Sequence, residues 1–423
     1  MKVKEKLRNF YSKLKKQHNL KRLKEKYRES KKITVCLFVS RPGMWQFDYL
    51  YKKLVDDIHF DTKVIVMPDP VQRDMMFDFM QAVLAELKAK EIDAIAGWDY
   101  EKEKPLELRK SINPDILIYT DFWKDHFFKE FYISSFLDKV NLLIPYGYNI
   151  VDDKWAHIWE LNNLVDFYVL PTQIHKDSAI KIMKNKGKNI FVAGSPKLDV
   201  LFDSSYTQHK AWKPQDTKKK KVIFAPHHQW EAAPDQYKFD SFLIIYDFMF
   251  EVAKKYKDKI QIAFRPHPML KSKLIEKWGD KLANEYYEKW ENLENGQYST
   301  NSFIDLFYQS DCLITDCCGF LAEYTAFNKP LFHCLTPTCR PYYNPFGDEL
   351  CKLFYKPAGF KDGDLELGIE QFIQNVVING NDIYKDERTL FVERFFGKNN
   401  NKTASQNIYD KIVETITIGR ILQ

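Results

Sequence analysis

From residue 33 onward, short apolar runs alternate with longer stretches whose apolar residues recur every three or four positions. ITVCLFV (33–39), KVIVM (63–67), IDAIAG (92–97), PDILIYT (114–120), NLLIPYG (141–147) and VDFYVLP (165–171) read as buried strands. MWQFDYLYKKLVDD (44–57), MMFDFMQAVLAELKAK (75–90) and QIHKDSAIKIMKNKG (173–187) carry helical spacing. The pattern breaks at SSYTQHKAWKPQDTKKKK (204–221), which is polar and basic and reads as a linker. It then restarts. KVIFA (221–225), KIQIAF (259–264), DCLITD (311–316) and KPLFHCL (329–335) predict strands, and 239–256, 303–310, 319–328, 363–379 and 403–421 predict helices. Strand–helix alternation implies parallel sheets covered on both faces. The expected fold is therefore α/β, with two doubly wound, Rossmann-like domains facing a cleft: 33–203 and 222–400, joined by 204–221 and followed by a helix in 401–423.

Residues 1–32 are different. They hold 14 Lys or Arg against Glu5, Glu25 and Glu29, a charge of +11, which leaves −5 on the rest of a chain whose total is +6. Val3, Leu7, Phe10 and Leu14 recur at helical spacing, with Leu20, Leu23 and Tyr27 behind them. A basic amphipathic helix of this kind suits an anionic membrane surface. The alternatives are a solvated helix or one packing on a partner subunit. With an acidic remainder and no recognition motif, nucleic acid is not an expected partner. The apolar runs fall far short of the ~20 residues that span a bilayer, and no apolar stretch of secretory type follows the basic start. Seven cysteines without a CxxC pair suit buried thiols of a reduced, cytoplasmic protein.

Three loops after predicted strands of the second half carry the candidate chemistry. They are APHHQWE with His227 and His228, FRPHP with Arg265 and His267, and LITDCCGFLAEY with Thr315, Asp316, Cys317, Cys318, Gly319 and Glu323. Ligands of open α/β sheets sit at strand carboxyl ends. A guanidinium, imidazoles and a helix start suit a phosphate or pyrophosphate. Gly319 allows close approach of a ligand or a neighbouring backbone, and Glu323, one turn on, suits a ribose hydroxyl. Metal ligands are usually spaced, as in CxxC or HxxxH, and adjacent His-His or Cys-Cys pairs rarely offer both members to one ion. The expectation is therefore no metal and no cofactor, and no redox role for the Cys pair.

The sequence strand–APHHQW, strand–FRPHP and SDCLITDCCGFLAEYTAFNKPLF, over about 221–335, resembles the CDP-glycerol glycerophosphotransferase family of teichoic-acid and capsule synthesis. The family reads strand–APT-W, strand–R-x-HP and SD-x-LITDYSS before a helix and a KP strand. The resemblance implies a GT-B arrangement and a nucleotide-diphosphate site at Arg265, His267, Thr315, Asp316, Cys317, Cys318 and Gly319. Here Cys317, Cys318 and Gly319 stand where the family has Tyr-Ser-Ser. The resemblance also implies a histidine base in a Trp-His-Gly-Thr-like stretch on the acceptor side. The corresponding segment is IPYGYNI, with Tyr146, Gly147 and Tyr148 and no histidine. His227 or His228 then becomes the candidate base, with His267 beside them and His157 and Glu231 as further candidates.

The function so implied is transfer of an alditol phosphate from a CDP-linked donor to a hydroxyl of a lipid-linked or polymeric glycan, with release of CMP. The expected place is the inner face of the plasma membrane, peripherally, through residues 1–32. The Asp316–Gly319–Glu323 pattern is also similar to that of nucleotide-sugar 2-epimerases and GT-B glycosyltransferases, which keeps a nucleotide-sugar glycosyltransferase as the alternative. Self-association stays open.

Overall fold

The computed structural model describes residues 2–152, 157–228, 239, 241–300, 303–338 and 342–421, with side chains at 12 and from 14 onward. It divides into two units. Unit 1 comprises Met1–Tyr148, Asp153–Asp203 and Lys398–Gln423, and unit 2 comprises Asn149–Asp152 and Ser204–Gly397.

Unit 1 is built on strands β1 (Ile33–Val39), β2 (Phe60–Val66), β3 (Ala94–Ala96), β6 (Ile116–Tyr119), β7 (Val140–Leu143), β8 (Phe167–Leu170) and β9 (Ile190–Val192). A small antiparallel pair, β4 (Trp98–Asp99) and β5 (Lys104–Pro105), stands apart. The main sheet has the order β3-β2-β1-β6-β7-β8-β9, and every pairing is parallel. Because side chains alternate across a strand, Val35, Leu37 and Val39 of β1 enter one core while Cys36 and Phe38 enter the core on the opposite face. The order reverses between β1 and β6, the switch point at which such sheets bind ligands.

Two helices from the ends of the chain close the first of these cores. Leu20 and Leu23 of the helix Lys2–Arg28 are buried, as are Ile408, Ile412 and Ile416 of the helix Ala404–Ile418. The basic helix is therefore docked over its second half. Lys16 pairs with buried Asp166 at 2.6 Å, and Arg22 and Lys26 pair with buried Asp115 at 2.5 and 2.7 Å. Leu14 is 48% exposed. The side chains of Val3, Leu7 and Phe10 lie outside the described residues.

Unit 2 carries β10 (Lys220–Ala225), β11 (Ile260–Phe264), β12 (Gly296–Tyr298), β13 (Cys312–Thr315) and β14 (Leu331–His333) in the order β12-β11-β10-β13-β14, again all parallel. Its switch point lies between β10 and β13. The core is aromatic: Trp290 is fully buried and stacks on Phe264 at 5.5 Å, with Phe242 and Tyr286 against the same ring.

Three expectations change. The stretch 204–221 is no free linker: Trp212 is buried, Tyr206 donates to Asp305 at 2.7 Å, and Gln297 donates to the Ala211 carbonyl. The helix of 401–423 is part of unit 1, because its three isoleucines complete that core. Strands β9 and β12 have no counterpart in the sequence reading.

Candidate active site

The strand register of unit 2 brings the three loops together. β10 pairs with β11 on one side (Phe224 with Phe264) and with β13 on the other (Ala225 with Thr315), so all three strands end at one level. The loops then continue the pairing. The Arg265 N–H donates to the Phe224 carbonyl at 2.8 Å and the His267 N–H to the Pro226 carbonyl at 2.9 Å. The third loop is tied by Asp316. Fully buried, it accepts from the His227 backbone N–H at 2.7 Å, the Ser241 hydroxyl at 2.6 Å and the Ser241 N–H at 3.3 Å. Burial pushes its carboxyl up to about 6 despite those bonds.

Asp316 and Thr315 are therefore internal fastenings rather than ligand contacts. The Thr315 hydroxyl donates to the Ala225 carbonyl and accepts from the Cys317 N–H. Ser241, which the sequence reading missed, is the partner that fixes Asp316. Its only signal was a serine ahead of the helix Phe242–Lys255. Glu323 is also buried, within the helix Cys318–Thr325, and is not presented to a ribose. At Gly319 an added Cβ would meet nothing within 4 Å, so crowding by neighbouring backbone does not require this glycine and the space before it is open. Cys317 stands at the N-cap of that helix, and burial pushes its thiol up to about 12, against the smaller effect of the Phe320 N–H. A protonated thiol is neither a nucleophile nor a ready metal ligand.

The histidines form a cluster. Ring centroids are 4.4 Å apart for His227–His228, 4.6 Å for His227–His267 and 4.2 Å for His228–His267. Phe239 packs on His227 at 4.8 Å. The Nδ1 atoms of His227 and His228 are buried and have no hydrogen-bond partner among the described residues. Burial pushes both rings down in pKa, His228 to about 4 with help from the Lys273 charge, and His227 well below the usual range with help from the other two rings. Both are neutral near pH 7, and both are weak bases. That weakens the expectation that one of them takes the acceptor proton.

The adjacent pair does converge, contrary to the spacing argument. One nitrogen from each of the three rings lies within 4.8 Å of the others, which by distance alone suits a metal ion. The tautomer argues the other way. His267 Nδ1 accepts the Met269 N–H at 3.1 Å, which leaves Nε2 as the nitrogen that carries a proton. That Nε2–H is a donor suited to an anion, as is the guanidinium of Arg265, whose Nη1 is anchored on the Ser299 carbonyl at 2.9 Å.

Tyr146, Gly147 and Tyr148, expected on the acceptor side, lie in unit 1, after β7. Tyr146 is at the surface and its N–H donates to the Thr120 carbonyl, while Gly147 has open space around it. Tyr148 is buried edge-on to His175 at 5.5 Å and serves the core. His157, also buried in unit 1, lies 3.2 Å from the Tyr168 hydroxyl. Glu231 lies outside the described residues. A polar cluster at the switch point of unit 1, with Arg41, Asp69, Asp121 and His126, was not anticipated. Its signal was charge placed directly after strands, in VSRPG and YTDFWKDH.

Comparison with known proteins agrees with this architecture. The chain is similar over 174 residues to the teichoic acid ribitol-phosphate polymerase TarL of Staphylococcus aureus, at 25% identity, covering 38% of this chain and 28% of that protein. The chain thus spans under a third of that relative. Its fold is similar to the wall teichoic acid polymerase TagF, with a TM-score of 0.54, 16% identity and 98% of each chain covered. It is also similar to a UDP-GlcNAc 2-epimerase from Neisseria meningitidis, with a TM-score of 0.54, 15% identity, and 91% and 99% covered. These likenesses establish a GT-B-like α/β fold. Residues 146–414, well over half of the chain, match one family description along their length, including all three loops at the unit 2 switch point. The chain belongs to the CDP-glycerol:poly(glycerophosphate) glycerophosphotransferase family.

Proposed function

We propose that the protein transfers a glycerol-phosphate or ribitol-phosphate group from a CDP-linked donor to a hydroxyl of a lipid-linked or polymeric cell-surface glycan, releasing CMP. The observation that carries this reading is the convergence of Arg265, His267 and the start of the helix Cys318–Thr325 at one switch point. Together they offer a guanidinium, an imidazole N–H and helix-start N–H groups to a pyrophosphate. Family membership and the likeness to TarL support the polyol-phosphate class.

In the reaction the acceptor oxygen bonds to the alditol-bearing phosphorus, and the bond from that phosphorus to the bridging oxygen breaks. CMP leaves with the bridging oxygen and its electron pair. Catalysis is then mainly positioning and neutralisation of the charge that grows on the departing phosphate. The neutral rings of His227 and His228 wall the site and exclude water.

The reaction is proposed to proceed without a bound metal or cofactor, and to take place peripherally at the cytoplasmic membrane face. No helix of the described residues is long and apolar enough to cross a membrane. Incubation with CDP-glycerol or CDP-ribitol and a glycan acceptor, read as CMP release with and without EDTA, tests the proposal. CMP release unaffected by chelation is expected. Turnover of a UDP-sugar instead would move the protein to the glycosyltransferases.

A further inference from the structure

The helix Phe242–Lys255 of unit 2 begins with a serine that does not cap it. An N-cap serine normally turns its hydroxyl onto a backbone N–H of its own first turn. The Ser241 side chain makes no such bond. Its hydroxyl donates instead to Asp316 Oδ2 at 2.6 Å, and its backbone N–H follows to the same oxygen at 3.3 Å. The partner lies 75 positions along the chain. Both residues are sunk in the interior, Ser241 at 1% and Asp316 at 0% exposure.

Three features give this bond a role beyond holding the core. First, Ser241 sits on a fixed point. Phe242 and Ile245, just after it, are fully buried in the core of unit 2, and the Ser241 carbonyl accepts the N–H groups of Ile244 and Ile245 at 3.0 and 3.1 Å. Second, the carboxylate it holds is shared. Asp316 Oδ2 is taken by Ser241, while Oδ1 accepts the His227 N–H at 2.7 Å. One side chain thus bridges the start of a packed helix and the loop that carries the imidazoles. Third, Asp316 directly precedes Cys317, the N-cap of the helix Cys318–Thr325. The place of its carboxylate therefore sets that helix start relative to His227 and, through ring contacts of 4.4 and 4.6 Å, relative to His228 and His267. The three described donors to Asp316 are all neutral. Burial pushes the carboxyl up, and the Ser241 hydroxyl is foremost among the hydrogen bonds that oppose it. A hydrogen bond to an anion is stronger than one between neutral groups, so the hydroxyl holds harder here than it would as a helix cap.

We infer that Ser241 is a positioning residue of the donor site: its hydroxyl fixes Asp316 where that carboxylate aligns the His227 loop with the start of the helix Cys318–Thr325. This rests on reading the three loops as the site of a nucleotide diphosphate. A pyrophosphate that takes N–H groups from the helix start and from the His267 ring needs both at one spacing, and such a set weakens when its members shift apart. Ser241 is buried behind the loops and touches no reacting atom. It therefore acts on the binding of the donor and not on the chemical step.

The test uses the full chain with CDP-glycerol or CDP-ribitol and a glycan acceptor. Ser241→Ala is expected to raise the donor dissociation constant, measured by calorimetry, about tenfold, with kcat at saturating donor within about threefold of the wild type. In an Asp316→Asn background the hydroxyl no longer meets an anion, and there Ser241→Ala is expected to change the constant by about threefold or less. Ser241→Cys nearly keeps the volume and offers only a weak S–H donor. It is expected to raise the constant severalfold, and it decides the matter should Ser241→Ala fail to fold. A folded variant that binds donor within about twofold of the wild type overturns the assignment and leaves the donor-site reading intact. So does a loss of affinity that persists in full in the Asp316→Asn background, or a fall in kcat of about tenfold or more at saturating donor. A wild type that binds neither CDP donor overturns both.

Discussion

Asp316 shows how much one side chain holds here. Replacing it with Ala leaves the His227 N–H and the Ser241 N–H and O–H without an acceptor in the interior. At about 1–3 kcal/mol for each stranded buried group, Asp316→Ala is expected to cost on the order of 3 kcal/mol or more, read as a urea midpoint. Asp316→Asn is expected to cost less, because it keeps one acceptor and removes a charge that burial has made unfavourable. His228 sets a pH dependence. Its folded value of about 4 lies below the unfolded 6.5, so between those values the unfolded chain holds a proton that the folded chain lacks. Stability therefore falls as pH drops from 6.5 through 4. Asp316, raised from 3.8 to about 6, acts in the opposite sense. His228→Gln is expected to remove about one proton's worth of the acid loss, on the order of 2–3 kcal/mol between pH 7 and 4, in urea titrations at the two pH values. At Gly319 the open space is the test. Gly319→Ala is expected to keep or raise the melting temperature, since Ala is the better helix former by up to about 1 kcal/mol, while raising the donor KM severalfold. Cys317→Ser with Cys318→Ser is expected to keep activity, because burial keeps the Cys317 thiol protonated and serine keeps the size of both side chains. That these residues follow strands was legible, but not which of them are buried. Position after a strand is written in sequence, whereas burial is not, so Thr315, Asp316 and Glu323 read as ligand contacts when they are internal.

At the scale of elements, the helix Lys2–Arg28 divides into two jobs. Its second half is held by Leu20 and Leu23 in the core and by the ion pairs to Asp115 and Asp166. Those cations are committed to protein, so the membrane contact proposed for residues 1–32 would have to be made by the part of the segment before them. Removing residues 1–14 is expected to abolish co-sedimentation with anionic liposomes without lowering the melting temperature. Leu23→Ala, in contrast, is expected to cost about 2–4 kcal/mol of stability and leave liposome binding in place. Unchanged sedimentation of the truncated chain overturns the membrane reading. The sequence announced this helix through its charge and period. It could not announce the docking, because lysine and arginine serve a buried aspartate and a lipid phosphate equally well.

At the scale of the whole molecule, unit 1 is assembled from both ends of the chain. The helix Ala404–Ile418 is fastened at its start by Asp199, which accepts the N–H groups of Ala404 and Ser405 at 2.8 and 2.7 Å, and it delivers Ile408, Ile412 and Ile416 to the core. Truncation after residue 397 is expected to strip that face, seen as binding of a hydrophobic dye and loss of a cooperative thermal transition. Both units place their polar residues at the same topological point, after the first strand and the strand that crosses to its other side. That shared plan follows from parallel strands, whose carboxyl ends leave a crevice where the order reverses.

The alternation of apolar runs with helical periods determined two parallel α/β sheets, because burial on both faces requires continuous apolar strands. The order of APHHQW, FRPHP and LITDCCGFLAEY determined the family and placed three loops directly after strands of the second half. Only the tertiary structure decided which of those residues face outward, because three loops far apart in sequence meet only through strand register. Only it joined Arg41, Asp69, Asp121 and His126, which three separate strands bring to one edge. It also showed what the basic charge at residues 16–26 pairs with, since the partners of Lys16, Arg22 and Lys26 lie 89 to 150 positions away.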